Sequence, residues 1–163
     1  MDKRGRMPYT YEYQRPAVTV DVVVTRRSAG GGAAEVLLVR RAHDPFRGCW
    51  ALPGGFVDMD EDLPDAARRE LAEETGVSVG RIEQLGAFGR PGRDPRGRTV
   101  SVVYLASAAR RSARPRAGDD AAEVRWFSLS SPPRLAFDHS DILAAVRKRM
   151  RSERKKPQDR ARR

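Results

Sequence analysis

Three glutamates, Glu70, Glu73 and Glu74, stand close together in one stretch of the chain. If this stretch is helical, their spacing of three and four residues puts all three carboxylates on one face. Like charges so placed repel each other, and the macrodipole disfavours carboxylates near the C-terminal end of a helix. An exposed acidic face paired with Arg68 and Arg69 would account for two of the charges at most. A divalent cation accounts for all three, and hard carboxylate oxygens select magnesium, with manganese as a substitute.

A Pro-Gly-Gly segment, Pro53 to Gly55, lies one loop before the glutamates. Glycine lets other groups approach the backbone closely, so a phosphate could lie against this segment. A carbonyl group here could also supply one more oxygen ligand to a metal ion. We therefore expect Gly54 and Gly55 to contact the substrate and Gly54 to contribute to the metal site.

The residues around the glutamates resemble the signature of the Nudix hydrolase family. The match has no gap and no substitution. It begins at Gly55 and continues with Glu61 after five residues and with Arg69-Glu70-Leu71 after seven more. Single residues then separate this group from Glu73-Glu74 and Glu73-Glu74 from Gly76-Val77. The resemblance extends from about Arg15 to Met150. It implies a Nudix-type α/β/α sandwich, in which a mixed β-sheet lies between helices and the signature forms a loop–helix–loop.

The resemblance also implies roles for the signature residues. Glu70 and Glu74 would be the principal metal ligands, and Glu73 a further ligand or an outer group. Arg69 would brace the glutamates, and Glu61 would tie the loop to the helix. Together they imply magnesium-dependent hydrolysis of a nucleoside diphosphate linked to a further group.

The group that activates the attacking water varies within this family and is often an acidic residue on a later loop. Here the candidates lie in the segment from Gly118 to Glu123, and we expect Glu123 or Asp120 to act as the base. For Asp119 and Asp120, ordinary turn chemistry is the alternative interpretation.

An arginine-rich loop, residues 90–98, is the main indication of the substrate. Its four arginines have planar guanidinium groups suited to phosphate or carboxylate, and we expect them to bind substrate: Arg90, Arg93, Arg96 and Arg98. The RDPRG motif in this loop and the RPAVTVD segment near the N-terminus resemble the ADP-ribose pyrophosphatase branch of the family. That resemblance implies cleavage of ADP-ribose to AMP and ribose 5-phosphate. Phe46 and Trp50, or tyrosines of the N-terminal arm, could stack on the adenine ring.

The elements that must position these residues follow from apolar spacing and from glycine and proline positions. We predict strands and helices in this order: strands Ala17–Thr25 and Glu35–Arg40 as a hairpin, an irregular segment Ala51–Val57, a helix capped by Glu61 or Asp62 and ended by Gly76, strands Arg81–Phe88, Thr99–Ala108 and Glu123–Phe127, and a helix Asp138–Met150. Asp21 is an unexpected polar residue in the first, otherwise apolar strand. We divide the chain into an N-terminal arm at 1–15, the catalytic domain at 16–150 and a basic, disordered tail at 151–163.

The bulk composition fits one globular domain of 163 residues. We expect a cytoplasmic protein, because the chain has no apolar run of membrane length, no secretory signal and a single cysteine, Cys49. The net charge is +10, of which +5 falls in residues 151–163, where seven residues are basic and two acidic. Because half of the excess lies in this tail, we do not expect nucleic acid to be the main ligand.

Three other functions fit parts of the sequence. A nucleoside triphosphate pyrophosphohydrolase would release inorganic pyrophosphate. A ligand-sensing regulator would need a DNA-binding domain, and too few residues follow Met150 for one. RNA-end processing is favoured only by the basic tail. Relatives of this branch often form homodimers through the N-terminal arm, so we include a homodimer among the expected partners, beside the nucleotide substrate.

Overall fold

The computed structural model describes residues 11–28, 33–108, 115–118 and 121–155. Within these residues the elements follow in this order: β1 (Ala17–Arg27), β2 (Ala34–Arg41), β3 (Trp50–Ala51), β4 (Gly54–Phe56), α1 (Leu63–Thr75), β5 (Ile82–Phe88), β6 (Thr99–Ser107), β7 (Ala121–Ser128) and α2 (His139–Lys155). The alternation of strands with two helices is the order that the sequence predicts.

The strand β1 lies at the centre of a seven-stranded mixed sheet in the described part of the chain. It runs parallel to β6 and antiparallel to both β2 and β4, and β7 pairs with β2. A strand buried on both faces needs apolar side chains on both, which explains the continuous β-branched sequence of β1.

The two helices pack on opposite faces of this sheet. Ala66, Ala67 and Leu71 of α1 share a core with Val20, Val22 and Val24, whose side chains alternate to one face of β1. A second core, on the other face, joins α2 to the sheet through Ile142, Leu143, Val146 and Val23. The predicted α/β/α sandwich is therefore confirmed. None of the described helices is long and apolar enough to cross a membrane.

Helix α1 begins and ends at the residues that its sequence indicates. The Asp62 side chain accepts a hydrogen bond from the Leu63 amide at 2.8 Å and caps the first turn, so Asp62 rather than Glu61 is the cap. Gly76 adopts φ 65° and donates its amide to the Ala72 carbonyl at 2.8 Å. This left-handed conformation ends the helix and favours glycine.

Most strand and helix boundaries differ from the prediction by one or two residues, and three larger differences have a clear physical reason. The hairpin is longer, because Arg26 and Arg27 continue to pair with Glu35 and Ala34. The segment predicted to be irregular forms β3 and β4, since the glycines of β4 can lie directly against β1. Helix α2 continues through the start of the predicted tail to Lys155, and an i,i+4 ion pair between Arg149 and Glu153 spans its last turns.

A buried ion pair ties the arginine-rich loop to the start of α2. Arg93 donates to both oxygens of Asp138, at 2.9 and 2.7 Å, and the two side chains are 5% and 6% exposed. Removing one member of such a pair leaves the other charge buried without its partner. The loop conformation and the stability of the fold should therefore depend on this contact.

Arg93→Met should lower the free energy of unfolding by about 3–5 kcal/mol, because Asp138 loses its bidentate partner. Arg149→Met is the matched control, since Arg149 pairs with Glu83 and Glu153 at the surface. It should change stability only marginally. Urea unfolding of both variants measures the difference, and equal losses in the two would contradict the structural role of Arg93.

Candidate active site

Arg69 organises the acidic face of α1 and its preceding loop. Its Nε and Nη2 donate to the two oxygens of Glu61 at 2.7 and 2.8 Å, and its Nη1 donates to Glu70 at 2.7 Å and to Glu73 at 3.2 Å. Its Nη2 also donates to the Phe56 carbonyl at 3.2 Å. One guanidinium group thus joins the loop, the strand β4 and two glutamates. The role of Arg69 as a brace in the active site stays a prediction.

Glu74 lies at the base of the site, against the backbone of β4. Its Oε2 accepts a hydrogen bond from the Gly54 amide at 3.0 Å. Burial, with repulsion from Glu70 and Asp21, raises the pKa of Glu74 to about 8, although the Gly54 amide opposes the shift. The site therefore holds this carboxylate where its charge is poorly compensated.

The Glu70 carboxylate lies over Gly55, in a space that the side chain of any larger residue at position 55 would fill. A Cβ added at Gly55 would overlap the Glu70 carboxylate. Burial raises the pKa of Glu70 above its ordinary value, with help from Glu73 and Glu61 and against the effect of Arg69. Glycine at position 55 is thus required for the carboxylate to lie against the strand.

The donors around Glu70 and Glu74 fit a hard divalent cation. Two partly buried carboxylates with raised pKa values lie side by side, and a dication would relieve both the burial cost and the repulsion. Among the described residues, however, no three acidic, histidine or cysteine side chains converge as a metal-binding group. Glu73 is turned to Arg69 and its side chain is 61% exposed. A complete coordination shell would thus need oxygens from the main chain, the substrate or water.

A buried polar cluster lies behind this site, and it explains the aspartate in the middle of β1. Asp21 accepts a hydrogen bond from Ser101 at 2.5 Å and lies 3.4 Å from Nε2 of His139 and 3.6 Å from Arg93. Burial alone would raise the pKa of Asp21, but His139, Ser101 and Arg93 hold it below its ordinary value. Nδ1 of His139 accepts from the Leu52 amide at 2.9 Å, so its proton lies on Nε2, toward Asp21.

One cavity of about 550 Å³ lies beside these residues. The glutamates of α1, Gly54 and Gly55 line it. Its lining also includes Arg41, Arg96, Phe56 and Phe137, and here the guanidinium groups lie over the aromatic rings. A cavity of this size and polarity suits a charged nucleotide better than an apolar ligand.

The four arginines of the 90–98 loop do not act as one group. Arg93 and Arg96 line the cavity, but each is held by an aspartate, Asp138 and Asp94 respectively. Arg90 pairs with Asp141 at the surface, and Arg98 donates to the carbonyls of Gly89 and Thr99. Neither Arg90 nor Arg98 is among the residues that line the cavity.

The two candidate bases are placed differently. Glu123 lies on β7, where it is ion-paired with Arg125 and 3.9 Å from Arg40, and it is not among the cavity-lining residues. Asp120 lies outside the described residues. The segment just before it contacts the C-terminal end of α1, because Arg116 and Gly118 donate their amides to the carbonyls of Thr75 and Glu74.

The cavity also contains residues that were not predicted from sequence as site residues, among them Asp21, Arg41, Phe137 and His139. Only Asp21 carried a signal, as a charged residue in a buried strand. Phe46, which was predicted, packs its ring on Phe137 at 4.9 Å. Its own side chain is not among those lining the cavity.

Comparison with protein families and curated proteins identifies the family of this chain. Residues 15–146 match the NUDIX domain model. The chain is 40% identical over 131 residues to the ADP-ribose pyrophosphatase of Methanocaldococcus jannaschii, covering 80% of this chain and 73% of that protein. It is 36% identical over 136 residues to the ADPR-responsive transcriptional repressor NtrR of Acinetobacter baylyi, covering 81% of this chain and 53% of the repressor.

Among solved structures, the chain is similar to the NUDIX domain of Shewanella oneidensis NrtR in complex with ADP-ribose. The TM-score is 0.75 at 36% identity, and the match covers 85% of this chain and 90% of that one. The similarity extends over nearly the whole of that domain. The cavity described above thus belongs to a fold that has been observed in complex with ADP-ribose.

In protein kept free of divalent cations, Glu74→Gln should be more stable than the wild type at pH 9, by about 1–3 kcal/mol. The folded state raises the pKa of Glu74 from 4.5 to about 8. Ionisation is therefore less favourable in the folded than in the unfolded chain. The wild type should lose stability as the pH rises through this range, and the glutamine variant should lack that loss.

Urea unfolding in EDTA at pH 5 and pH 9 measures this effect. Glu73→Gln is the control from the same helix, since its carboxylate is exposed. It retains Glu74, so its stability relative to the wild type should be nearly the same at pH 5 and at pH 9. A Glu74→Gln protein no more stable than the wild type at pH 9 would mean that the carboxylate is not destabilised by its surroundings.

Proposed function

This chain belongs to the Nudix hydrolase family, and from that membership we propose that it hydrolyses ADP-ribose to AMP and ribose 5-phosphate. Water adds across the diphosphate, so that one phosphoryl group takes the hydroxyl and the bridging oxygen leaves with the other. The observation that carries the proposal is the pair of partly buried carboxylates, Glu70 and Glu74, that line a nucleotide-sized cavity. The similarity to an ADP-ribose pyrophosphatase over most of both chains supports this choice of substrate.

Hydrolases of this family use divalent metal ions, and we propose Mg²⁺ here, with Mn²⁺ as a substitute. Glu70 and Glu74 would hold the cation, together with a carbonyl of the Gly54–Gly55 segment. Glu73 would join them once it is released from Arg69. The cation would neutralise the diphosphate oxygens and make a coordinated water more acidic. Hard carboxylate donors, rather than histidine or cysteine, support magnesium over zinc.

The protein side chains would orient the reactants and hold charge. Arg69 keeps Glu61 and Glu70 in place, so the acidic face does not need to reorganise when substrate binds. Gly54 and Gly55 leave room for the diphosphate beside the backbone. Arg93 and Arg96 line the cavity and would stabilise negative charge on the substrate, while both remain tied to their aspartates.

For the group that accepts the proton from water we retain two candidates, Asp120 and Glu123. Glu123 would have to leave its ion pairs with Arg125 and Arg40 and move to the cavity. The contact of Arg116 and Gly118 with the end of α1 supports a role for the segment that leads to Asp120. Asp120→Asn and Glu123→Gln compared in parallel would identify the base through the acidic limb of the pH–rate profile.

Two further parts of the proposal concern assembly and location. We propose a cytoplasmic protein, in keeping with a single cysteine, and a homodimer in which the N-terminal arm contacts the partner. Residues 1–10 of that arm lie outside the described residues. Sedimentation of the full chain and of a chain that starts at residue 15 would test whether the arm is needed for dimerisation.

A second candidate is sensing of ADP-ribose without cleavage, which the similarity to a repressor supports. The intact set of Glu70, Glu73, Glu74 and Arg69 favours the enzyme instead. The two functions differ in one observable. A sensor binds ADP-ribose and releases it unchanged, whereas the enzyme releases AMP.

Incubation with ADP-ribose and Mg²⁺ should yield AMP and ribose 5-phosphate in equal amounts, and EDTA should abolish the reaction until Mg²⁺ or Mn²⁺ is added back. The same assay should include diadenosine polyphosphates, NADH, nucleotide sugars and dNTPs. Release of inorganic pyrophosphate from a dNTP at a higher kcat/KM than ADP-ribose cleavage would favour the triphosphatase function. Binding of ADP-ribose without products would favour the sensor.

Glu70→Gln and Glu74→Gln should each lower kcat by about 10²-fold or more, since each removes a charge that stabilises the bound cation. Glu83→Gln is the control, because Glu83 lies on β5 and pairs with Arg149 at the surface. Its kcat should match that of the wild type. Steady-state kinetics with saturating Mg²⁺ measures the effect, and near-normal turnover in both α1 variants would exclude them as metal ligands.

A further inference from the structure

The first residue of α2, His139, is a buried histidine, and both nitrogens of its ring have a partner. Only 3% of its surface is exposed. Nδ1 accepts a hydrogen bond from the Leu52 amide at 2.9 Å, and Nε2 lies 3.4 Å from the Asp21 carboxylate. His139 lines the cavity, but neither nitrogen is left to bind a substrate or a metal ion. Its influence on the site must therefore pass through the groups that it holds.

This amide begins a short segment, residues 52–54, which leads into the glycine strand β4. Each residue of the segment is attached to a different element. The first is held by α2, through the imidazole. The carbonyl of Pro53 accepts from the Val22 amide of β1 at 2.8 Å, and the amide of Gly54 donates to Glu74 of α1 at 3.0 Å. The segment thus connects α2 to a proposed metal ligand through three successive residues.

The segment has almost no freedom on the side of β1. Gly54 pairs with Asp21 across the two strands, and a Cβ added at Gly54 would lie 2.1 Å from the Val20 carbonyl oxygen. A displacement of Leu52 therefore cannot be absorbed by closer packing against β1. It would move Gly54 along with the segment and change the direction of the amide that reaches Glu74.

Asp21 determines which nitrogen of His139 carries the proton. The Asp21 carboxylate also accepts from Ser101 at 2.5 Å and lies 3.6 Å from Arg93, and all four residues are buried. A carboxylate beside Nε2 favours the tautomer with the proton on Nε2, which leaves Nδ1 as an acceptor for the amide. Asp21 and His139 therefore act as one unit, in which the aspartate orients the ring and the ring holds the backbone.

Packing of α2 does not require this arrangement. The helix docks on the sheet through apolar residues of one core, Ile142, Leu143 and Val146. A side chain that only filled the space before these residues would need no fixed tautomer. The Leu52 amide, by contrast, belongs to a residue that is 2% exposed, so it needs an acceptor within the protein. What the histidine supplies is that acceptor.

We propose that His139 is a positioning residue for the metal site. It fixes the Leu52 amide, so that the Gly54 amide stays directed at Glu74 and keeps this carboxylate in place for the cation. The inference rests on the proposed function, since it assumes a divalent cation at Glu70 and Glu74. It adds the start of α2, on the opposite face of the sheet, to the parts of the chain that determine metal affinity. Groups that hold metal ligands from outside typically change metal affinity by about 10–100-fold when they are replaced.

Two replacements of His139 separate the roles of its two nitrogens. His139→Asn puts an amide oxygen near the position of Nδ1, so it can still accept from Leu52. His139→Gln reaches the position of Nε2 and can donate to Asp21, but it has no acceptor for the Leu52 amide. Binding of Mn²⁺ without substrate, measured from the electron paramagnetic resonance signal of the free ion, requires no turnover. His139→Gln should weaken this binding about tenfold or more, and His139→Asn should retain most of the affinity.

Amide hydrogen exchange, followed by NMR in EDTA, tests the positioning itself without a metal ion. In His139→Gln the amides of Leu52 and Gly54 should both exchange faster relative to other core amides, and in His139→Asn both should stay protected. Ile142→Val is the matched control, since it removes a buried methyl group from the same helix outside the cavity. It should lower stability but leave the Mn²⁺ affinity and the relative exchange of Gly54 unchanged.

A similar Mn²⁺ affinity in the two His139 variants, or unchanged Gly54 exchange in His139→Gln, would overturn the proposal. The tautomer provides a test that depends on no variant. Nitrogen NMR of the wild type should show His139 protonated on Nε2 alone, and a proton on Nδ1 would overturn the proposal as well. If the wild type does not bind Mn²⁺ but Gly54 is released in His139→Gln, the metal site and the proposed function are rejected while the positioning of Gly54 stands. Binding of Mn²⁺ that depends on His139, without cleavage of ADP-ribose, would support the positioning and reject the reaction alone.

Discussion

The structure of this site depends on the close packing of α1 against the glycines of β4. The Glu70 carboxylate lies on Gly55, and Glu74 accepts the amide of Gly54. A residue with a Cβ at position 55 would overlap the Glu70 carboxylate. The contact takes two carboxylates partly out of water, which raises the pKa of both, and repulsion from Glu70 raises the pKa of Glu74 further. The fold therefore holds negative charge that a divalent cation can stabilise.

The surrounding charges keep this unfavourable arrangement in place. Arg69 connects the acidic face to the preceding loop through Glu61, so the glutamates cannot simply turn to solvent together. Behind them, Asp21 is held ionised by His139, Ser101 and Arg93. The same Arg93 fixes Asp138 at the start of α2. Active-site geometry and the docking of α2 thus share one network of buried polar contacts, which explains why a charged residue is tolerated in the central strand.

The cavity joins the acidic face of α1 to side chains that are cationic and aromatic. The Arg41 guanidinium lies 4.9 Å from the Phe137 centroid, and that of Arg96 lies 5.6 Å from it. Arg41 also acts on Glu74, where it opposes the rise of the pKa that burial causes. The carboxylates and the cations therefore interact within one cavity.

The amino-acid sequence alone was enough to predict helix α1, its start and end, the mixed sheet and the glutamates, because these follow from short-range spacing. The Asp62 cap, the Gly76 terminus and the signature are each read within a few residues of chain. Other features required the tertiary structure. The four arginines of residues 90–98 look equivalent in sequence, yet folding commits each to a different partner and brings only Arg93 and Arg96 to the cavity. Arg41 and Phe137 meet although 96 positions separate them. Such contacts depend on strand pairing and helix docking over long sequence separations, and no local pattern encodes the distance between two side chains that only the packed sheet brings together.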